Sequence, residues 1–129
     1  MEKILIDTDA VIDFLRGYGL RIKSFFSKIQ NRQIKGYISL ISIIELYAGI
    51  DEENREQEIS LNKLLSLLKI LPIDFNLVKP AGFLRKKYYL SITDSIIAAT
   101  SYQYKIKLFT FNVKHFTNLP GIKFYSLPS

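Results

Sequence analysis

The 129-residue chain contains no cysteine and a single histidine, His115. Without cysteine there is neither a disulfide framework nor a thiolate zinc site, and one histidine is too few for a histidine-based zinc cage. The absence of thiol pairing suits a reducing cytoplasm. No G-x-x-x-x-G-K-[ST] loop is present, which argues against a P-loop nucleotide-binding protein. No internal repeat, low-complexity tract or linker divides the chain, and its length fits one domain over residues 1–129. The N-terminus lacks an apolar stretch resembling a signal peptide. The most hydrophobic region, residues 37–50, is interrupted by Ser39, Ser42 and Glu45. It falls short of the ~18–20 residues needed to span a bilayer, so no membrane span is expected.

What the chain does contain is a large apolar fraction, 48%, and a net charge of +6. The first is ample for a core. The second favours a polyanionic partner such as nucleic acid. Against that positive background, three acids sit inside otherwise apolar segments far apart in sequence. Ile4-Leu5-Ile6-Asp7-Thr8-Asp9 is an apolar run ending in acid. Glu45 lies within residues 42–49, and Asp94 opens the apolar run of residues 95–99. A fourth segment, Leu108-Phe109-Thr110-Phe111-Asn112, reads as a strand ending in polar groups. Three carboxylates about 4–5 Å apart would repel by roughly 3–4 kcal/mol per pair at an effective dielectric near 20. A divalent cation relieves that repulsion, so the pattern points to a metal site of the kind that supports hydrolysis.

The order of elements places these segments. Residues 3–7 read as a buried strand, because Ile4, Leu5 and Ile6 run without alternation. Thr8 or Asp9 is expected to cap a helix that Gly17 stops, and a second helix is expected over residues 20–32. A strand over residues 36–40 follows. Ser42 is then expected to open a helix, with Ser42 and Glu45 as a capping box. Residues 51–69 carry a helical period at Leu61, Leu64, Leu65 and Leu68. A short strand over residues 71–74 precedes a helix capped by Asn76, in which Pro80 takes the fourth position, where its missing amide would be unpaired anyway. Thr93 or Asp94 starts a helix to Tyr104, and strands over residues 107–111 and 122–125 close the chain around a turn at residues 118–121. Strands alternating with helices argue an α/β class, a three-layer α/β/α sandwich with a mainly parallel central sheet. Ligands of such sheets bind at the carboxyl ends of the strands. Asp7 and Thr110 fall at strand ends, and Glu45 and Asp94 fall in first helical turns at that same rim.

Singly, each acid also has a structural reading. Asp7 neighbours a helix cap, Asp9 and Asp13 read as cap and surface residues, Glu45 as the partner of Ser42, and Asp94 as a complement to a helix dipole. Phe14, Phe25 and Phe26 read as core. Tyr88, Tyr89, Tyr102 and Tyr104 fit core or interface packing better than base stacking. Arg85-Lys86-Lys87 is either an exposed helix end or part of an RNA-facing patch.

Taken together, the four segments resemble the motifs of PIN-domain ribonucleases, specifically the VapC toxins of bacterial and archaeal toxin–antitoxin pairs. Residues 4–9 with Val11-Ile12-Asp13-Phe14-Leu15-Arg16-Gly17 resemble the opening motif, and Glu45-Leu46-Tyr47-Ala48-Gly49 the second. Asp94-Ser95-Ile96-Ile97-Ala98-Ala99-Thr100 resembles the third, and residues 110–116 with 119–122 the last. The resemblance covers essentially the full chain. It implies a PIN-like fold and a Mg2+- or Mn2+-dependent endoribonuclease in which Asp7, Glu45 and Asp94 hold the metal. Thr110 and Asn112 would shape the acidic pocket, Thr110 orienting a water or a ligand. It also implies an RNA substrate and a VapB-type antitoxin that aims a basic side chain into the pocket. Homodimers are common in the family, and residues 20–29 and 61–68 are the apolar stretches available for one. Where the family often places a fourth acid this chain has His115, which adds no negative charge and is suited to phosphate contact or proton transfer. That substitution keeps open an alternative: a PIN-like domain that binds RNA or protein without cleaving. A receiver-like α/β protein is a poorer fit, because Asp7-Thr8-Asp9 matches its acidic pair only loosely.

Overall fold

Four parallel strands form the centre of the molecule, in the order β3–β2–β1–β4. They are β1 (Glu2–Ile6), β2 (Ile34–Ser39), β3 (Lys69–Leu71) and β4 (Lys107–Phe109). Six helices surround them: α1 (Thr8–Leu15), α2 (Leu20–Gln30), α3 (Leu40–Ala48), α4 (Arg55–Leu65), α5 (Phe75–Tyr88) and α6 (Ile92–Tyr104). The structure is a computed structural model that describes residues 1–17 and 19–128. The expected α/β class and parallel sheet are what it shows.

Alternation along the strands builds the three layers. Ile4 and Ile6 of β1 and Ile34 and Ile38 of β2 point to one face, where they pack with Val11 of α1, Phe25, Phe26 and Ile29 of α2, and Leu61 and Leu64 of α4. Leu5, Tyr37 and Leu108 point to the other, against Ile97 and Ala98 of α6 and the buried Phe116 and Leu119. Gly36 sits where a Cβ would come within 2.7 Å of the Leu68 Cδ2 and 2.9 Å of the Ile29 Cδ1, so any side chain there would have to push these methyl groups aside. Helix α3 touches both α1 and α6 and thereby straddles the rim between the layers.

Several local expectations shift. The caps fall earlier than the pattern suggests: Asp7 for α1, Ser39 for α3, Asp74 for α5 and Ser91 for α6. Ser42 is therefore fully buried inside α3 with its hydroxyl unpaired among the described residues, and the capping box with Glu45 does not form. Pro80 stands at the sixth helical position of α5 rather than the fourth. Helix α4 is shorter than expected at both ends: Asp51 to Asn54 form an exposed segment before it, Asn54 caps it, and it ends at Leu65. Residues 122–125 form no full strand; Phe124 makes a single bridge to Leu108. The stretches considered for dimer contacts are mostly core, since Ile22, Phe25, Phe26, Ile29, Leu61, Leu64 and Leu68 are all buried. Of those stretches Leu20 and Leu67 remain exposed, and further exposed apolar side chains lie on α3 (Ile44, Tyr47) and α5 (Phe75, Val78, Phe83). Among the described residues no helix is long and apolar enough to cross a membrane.

Candidate acidic site

The chain leaves β1 for β2 on one side, while β4 pairs with β1 on the other. The strand order thus reverses at the β1/β4 junction, and a crevice opens beyond their carboxyl ends. Asp7 is the first residue past β1. Its amide donates to Phe109 O of β4 at 2.9 Å, which pins it at the junction. Its Oδ1 accepts from Thr8 N and its Oδ2 from Thr110 Oγ, each at 2.8 Å. The Asp7 side chain is thus both helix cap and floor of the crevice.

Glu45, Asp94, Asn112 and His115 line this open cleft of about 540 Å3 with Asp7 and Asp9. Among the described residues, no lysine or arginine lines it. Because α3 straddles the rim, the Glu45 carboxylate reaches both neighbouring helices: Oε1 accepts from Thr8 Oγ at 2.7 Å and Oε2 from Thr93 Oγ at 3.2 Å. Asp94 lies in the first turn of α6, where the helix dipole favours an acid. Its Oδ2 is 3.1 Å from His115 Nδ1. Thr110 lies beneath the cleft, where its hydroxyl donates to Asp7 and accepts from Asn112 N at 3.0 Å.

From the sequence Asp9 reads as a cap or surface residue, and the structure corrects this. Its Oδ2 accepts from Asn112 Nδ2 at 2.8 Å and from Phe111 N at 3.1 Å. Its Oδ1 is buried with no hydrogen-bond partner among the described residues. The only signal in the sequence is its position two residues after Asp7 in the first turn of a helix that starts at the rim. Thr8 and Thr93, which hold Glu45, were likewise not singled out as site residues.

The electrostatics record crowded negative charge. Burial, and next the charge of Asp9, pushes the Asp7 carboxyl up from 3.8 to about 6, against the hydrogen bonds from Thr110 and Thr8. Burial likewise raises Asp9 above the ordinary carboxylate value. Among the described residues, no three His, Asp or Glu side chains are gathered tightly enough to cage an ion as they stand. The donor set nonetheless fits a hard cation. All its acids present oxygen, Asp9 holds an unpaired buried oxygen, and Asp7 is disfavoured in the ionised form that a positive charge would restore.

Comparison with known proteins places this architecture in a class. The PIN domain model matches residues 4–121, and the chain belongs to the PIN-domain family. Ribonuclease VapC1 of Methanocaldococcus jannaschii is 30% identical over 132 residues, a match covering 96% of this chain and 88% of that protein. A chain in a toxin–antitoxin complex from Klebsiella pneumoniae superposes with a TM-score of 0.74 at 29% identity, covering 92% of this chain and 94% of the other. A chain of VapBC2 from Rickettsia felis, crystallised with a DNA fragment from its promoter, reaches a TM-score of 0.84 at 19% identity over 98% and 99% of the two chains, a likeness of fold.

Proposed function

We propose that this protein is the toxin of a toxin–antitoxin pair and hydrolyses RNA phosphodiester bonds at its acidic cleft with a divalent cation, Mg2+ or Mn2+. The observation that carries it is the convergence of Asp7, Asp9, Glu45 and Asp94 on one cleft that, among the described residues, no lysine or arginine lines. Membership of the PIN-domain family and the likeness to ribonuclease VapC1 support the RNA substrate. The complex from Klebsiella pneumoniae supports an antitoxin partner of VapB type. A cytoplasmic location and a homodimer complete the reading, with residues 1–129 as one domain.

Asp7, Glu45 and Asp94 are the residues we assign to the metal, with the Asp9 carboxylate beside them. Mg2+ commonly takes only one or two carboxylates and keeps several waters, which suits an open cleft better than a closed cage. When bound, such an ion polarises a phosphoryl oxygen and lowers the pKa of a water. The protein's own contribution is to hold the acids in place. Thr110 fixes Asp7, the two threonine hydroxyls fix Glu45, and Asn112 fixes Asp9.

The test is RNA cleavage by the purified protein with Mn2+ and with chelator, beside the Asp94→Asn variant. Cleavage should need the metal and fall by about a hundredfold or more in the variant, as for removal of one preorganised electrostatic group. Mn2+ should also raise the unfolding temperature of the wild type and not that of Asp7→Asn. Chelator-insensitive cleavage would falsify the metal assignment. The pairing of His115 with Asp94 favours the second reading, a domain that binds RNA or protein without cutting it. That reading requires a wild type with no metal-linked stabilisation and no cleavage.

A further inference from the structure

A second cavity, of about 530 Å3, lies at the opposite end of the sheet, beside the amino ends of β1 and β4. Lys3, Lys105, Lys107 and Lys123 line it, against one acid, Glu2. Lys107 Nζ is 2.7 Å from Glu2 Oε2 and is thereby neutralised. Lys3, Lys105 and Lys123 are exposed and form no ion pair among the described residues. Three separate parts of the chain bring these free ammonium groups together: Lys3 on β1, Lys105 at the end of α6, and Lys123 in the segment that flanks β4. The Tyr102 ring forms part of the wall, held by its hydroxyl donating to Pro120 O at 2.6 Å.

The acidic cleft repels a phosphate backbone until a cation intervenes, so attraction for a polyanion must come from elsewhere on this +6 chain. The two sites lie at opposite ends of the same edge strand. Asn112, just past the carboxyl end of β4, lines the cleft, and Lys107, at its amino end, lines the basin. The five residue steps from Lys107 to Asn112 span at most roughly 17 Å, a distance a few nucleotides cover. We infer that the lysine basin binds the phosphate backbone of the RNA, flanking the segment seated in the acidic cleft. The inference rests on the ribonuclease reading and adds where the substrate's remaining charge is held. Phosphate contacts of this kind position a strand without reading its sequence.

The test measures binding apart from cleavage. The Asp94→Asn protein serves as background, and a labelled oligouridylate of roughly 20 nucleotides as probe. The triple variant Lys3→Gln, Lys105→Gln, Lys123→Gln is compared with a charge-matched control, Lys23→Gln, Lys63→Gln, Lys86→Gln, whose lysines are also exposed. The basin variant should lose about tenfold or more in affinity at low salt, and its log–log salt slope should shrink by about 2. The control should lose less than about threefold. Restored to an active background, the basin variant should show a raised KM with kcat retained. An equal loss in both triples, an unchanged basin variant, or a parent that does not bind the probe overturns the inference. Binding without cleavage in the active background overturns only the ribonuclease reading. Thermal unfolding of both triples excludes loss of the fold as the cause.

Discussion

Asp7 holds its place through a threonine hydroxyl and a backbone amide, yet these two donors do not offset the cost of burying its charge beside Asp9. The consequence for stability has a definite sign. With the folded carboxyl at about 6 and the ordinary value at 3.8, the folded protein binds the proton more tightly than the unfolded chain. The fold is therefore favoured where Asp7 is protonated, and loses up to roughly 3 kcal/mol as pH rises from about 4 to about 6. Denaturant unfolding in chelator across that range, for wild type and Asp7→Asn, should show this loss only in the wild type. Identical slopes in the two proteins would defeat the assignment. Asp7 alone also reads as a helix-cap neighbour; it was legible as a site residue because Glu45 and Asp94 fall at the same predicted rim. Asp9 was not, because its partners Phe111 and Asn112 come from the far end of the chain and no local pattern links them.

Helices α1 and α3 begin directly where strands end. Ile6 closes β1, Asp7 caps, and Thr8 opens α1; Ser39 is both the last residue of β2 and the cap of α3. Pattern reading places the caps one to three positions late: at α1 and α3 the strand runs straight into its helix, while α5 follows β3 across Pro72 and Ile73 and α6 follows α5. The error bears on chemistry. With Ser91 accepting from Asp94 N as the cap of α6, Thr93 is free to donate to Glu45. With Ser39 capping α3, Glu45 is released from any capping role. The same displacement gives a direct check on α5, where the Asp74 side chain accepts from Leu77 N. Asp74→Ala should cost about 1 kcal/mol, whereas Asn76→Ala, the cap suggested by the sequence, should be within about 0.5 kcal/mol of wild type. Thermal or denaturant unfolding of the pair decides it. Arg85, Lys86 and Lys87 form the last turn of α5, where positive charge complements the helix dipole, so their clustering has a structural cause.

The two cavities at the ends of the sheet differ in charge, acids lining the one past the strands' carboxyl ends and lysines the one near their amino ends. A long anionic strand laid along the β4 edge meets both. Most of the helical periods of residues 20–29 and 61–68 is consumed by the core, leaving Leu20 and Leu67 exposed there and more apolar surface elsewhere. Phe75 at 87% and Phe83 at 64% exposure, with Ile44 at 61%, are costly to leave in water and favour association. Sedimentation of the protein without a partner should give a mass near twice 14.9 kDa at micromolar concentration. A monomer under those conditions would remove the proposed homodimer.

Element order, the parallel α/β class and the three acids Asp7, Glu45 and Asp94 could be read from the chain alone, since they depend on hydrophobic periodicity and on charges conspicuous in apolar surroundings. Asp9's membership of the cleft, the threonine clamp on Glu45, the contact of His115 with Asp94 and the gathering of Lys3, Lys105 and Lys123 could not. Each joins residues from different elements, and such contacts arise only when the sheet's strand order and the straddling position of α3 bring those elements together.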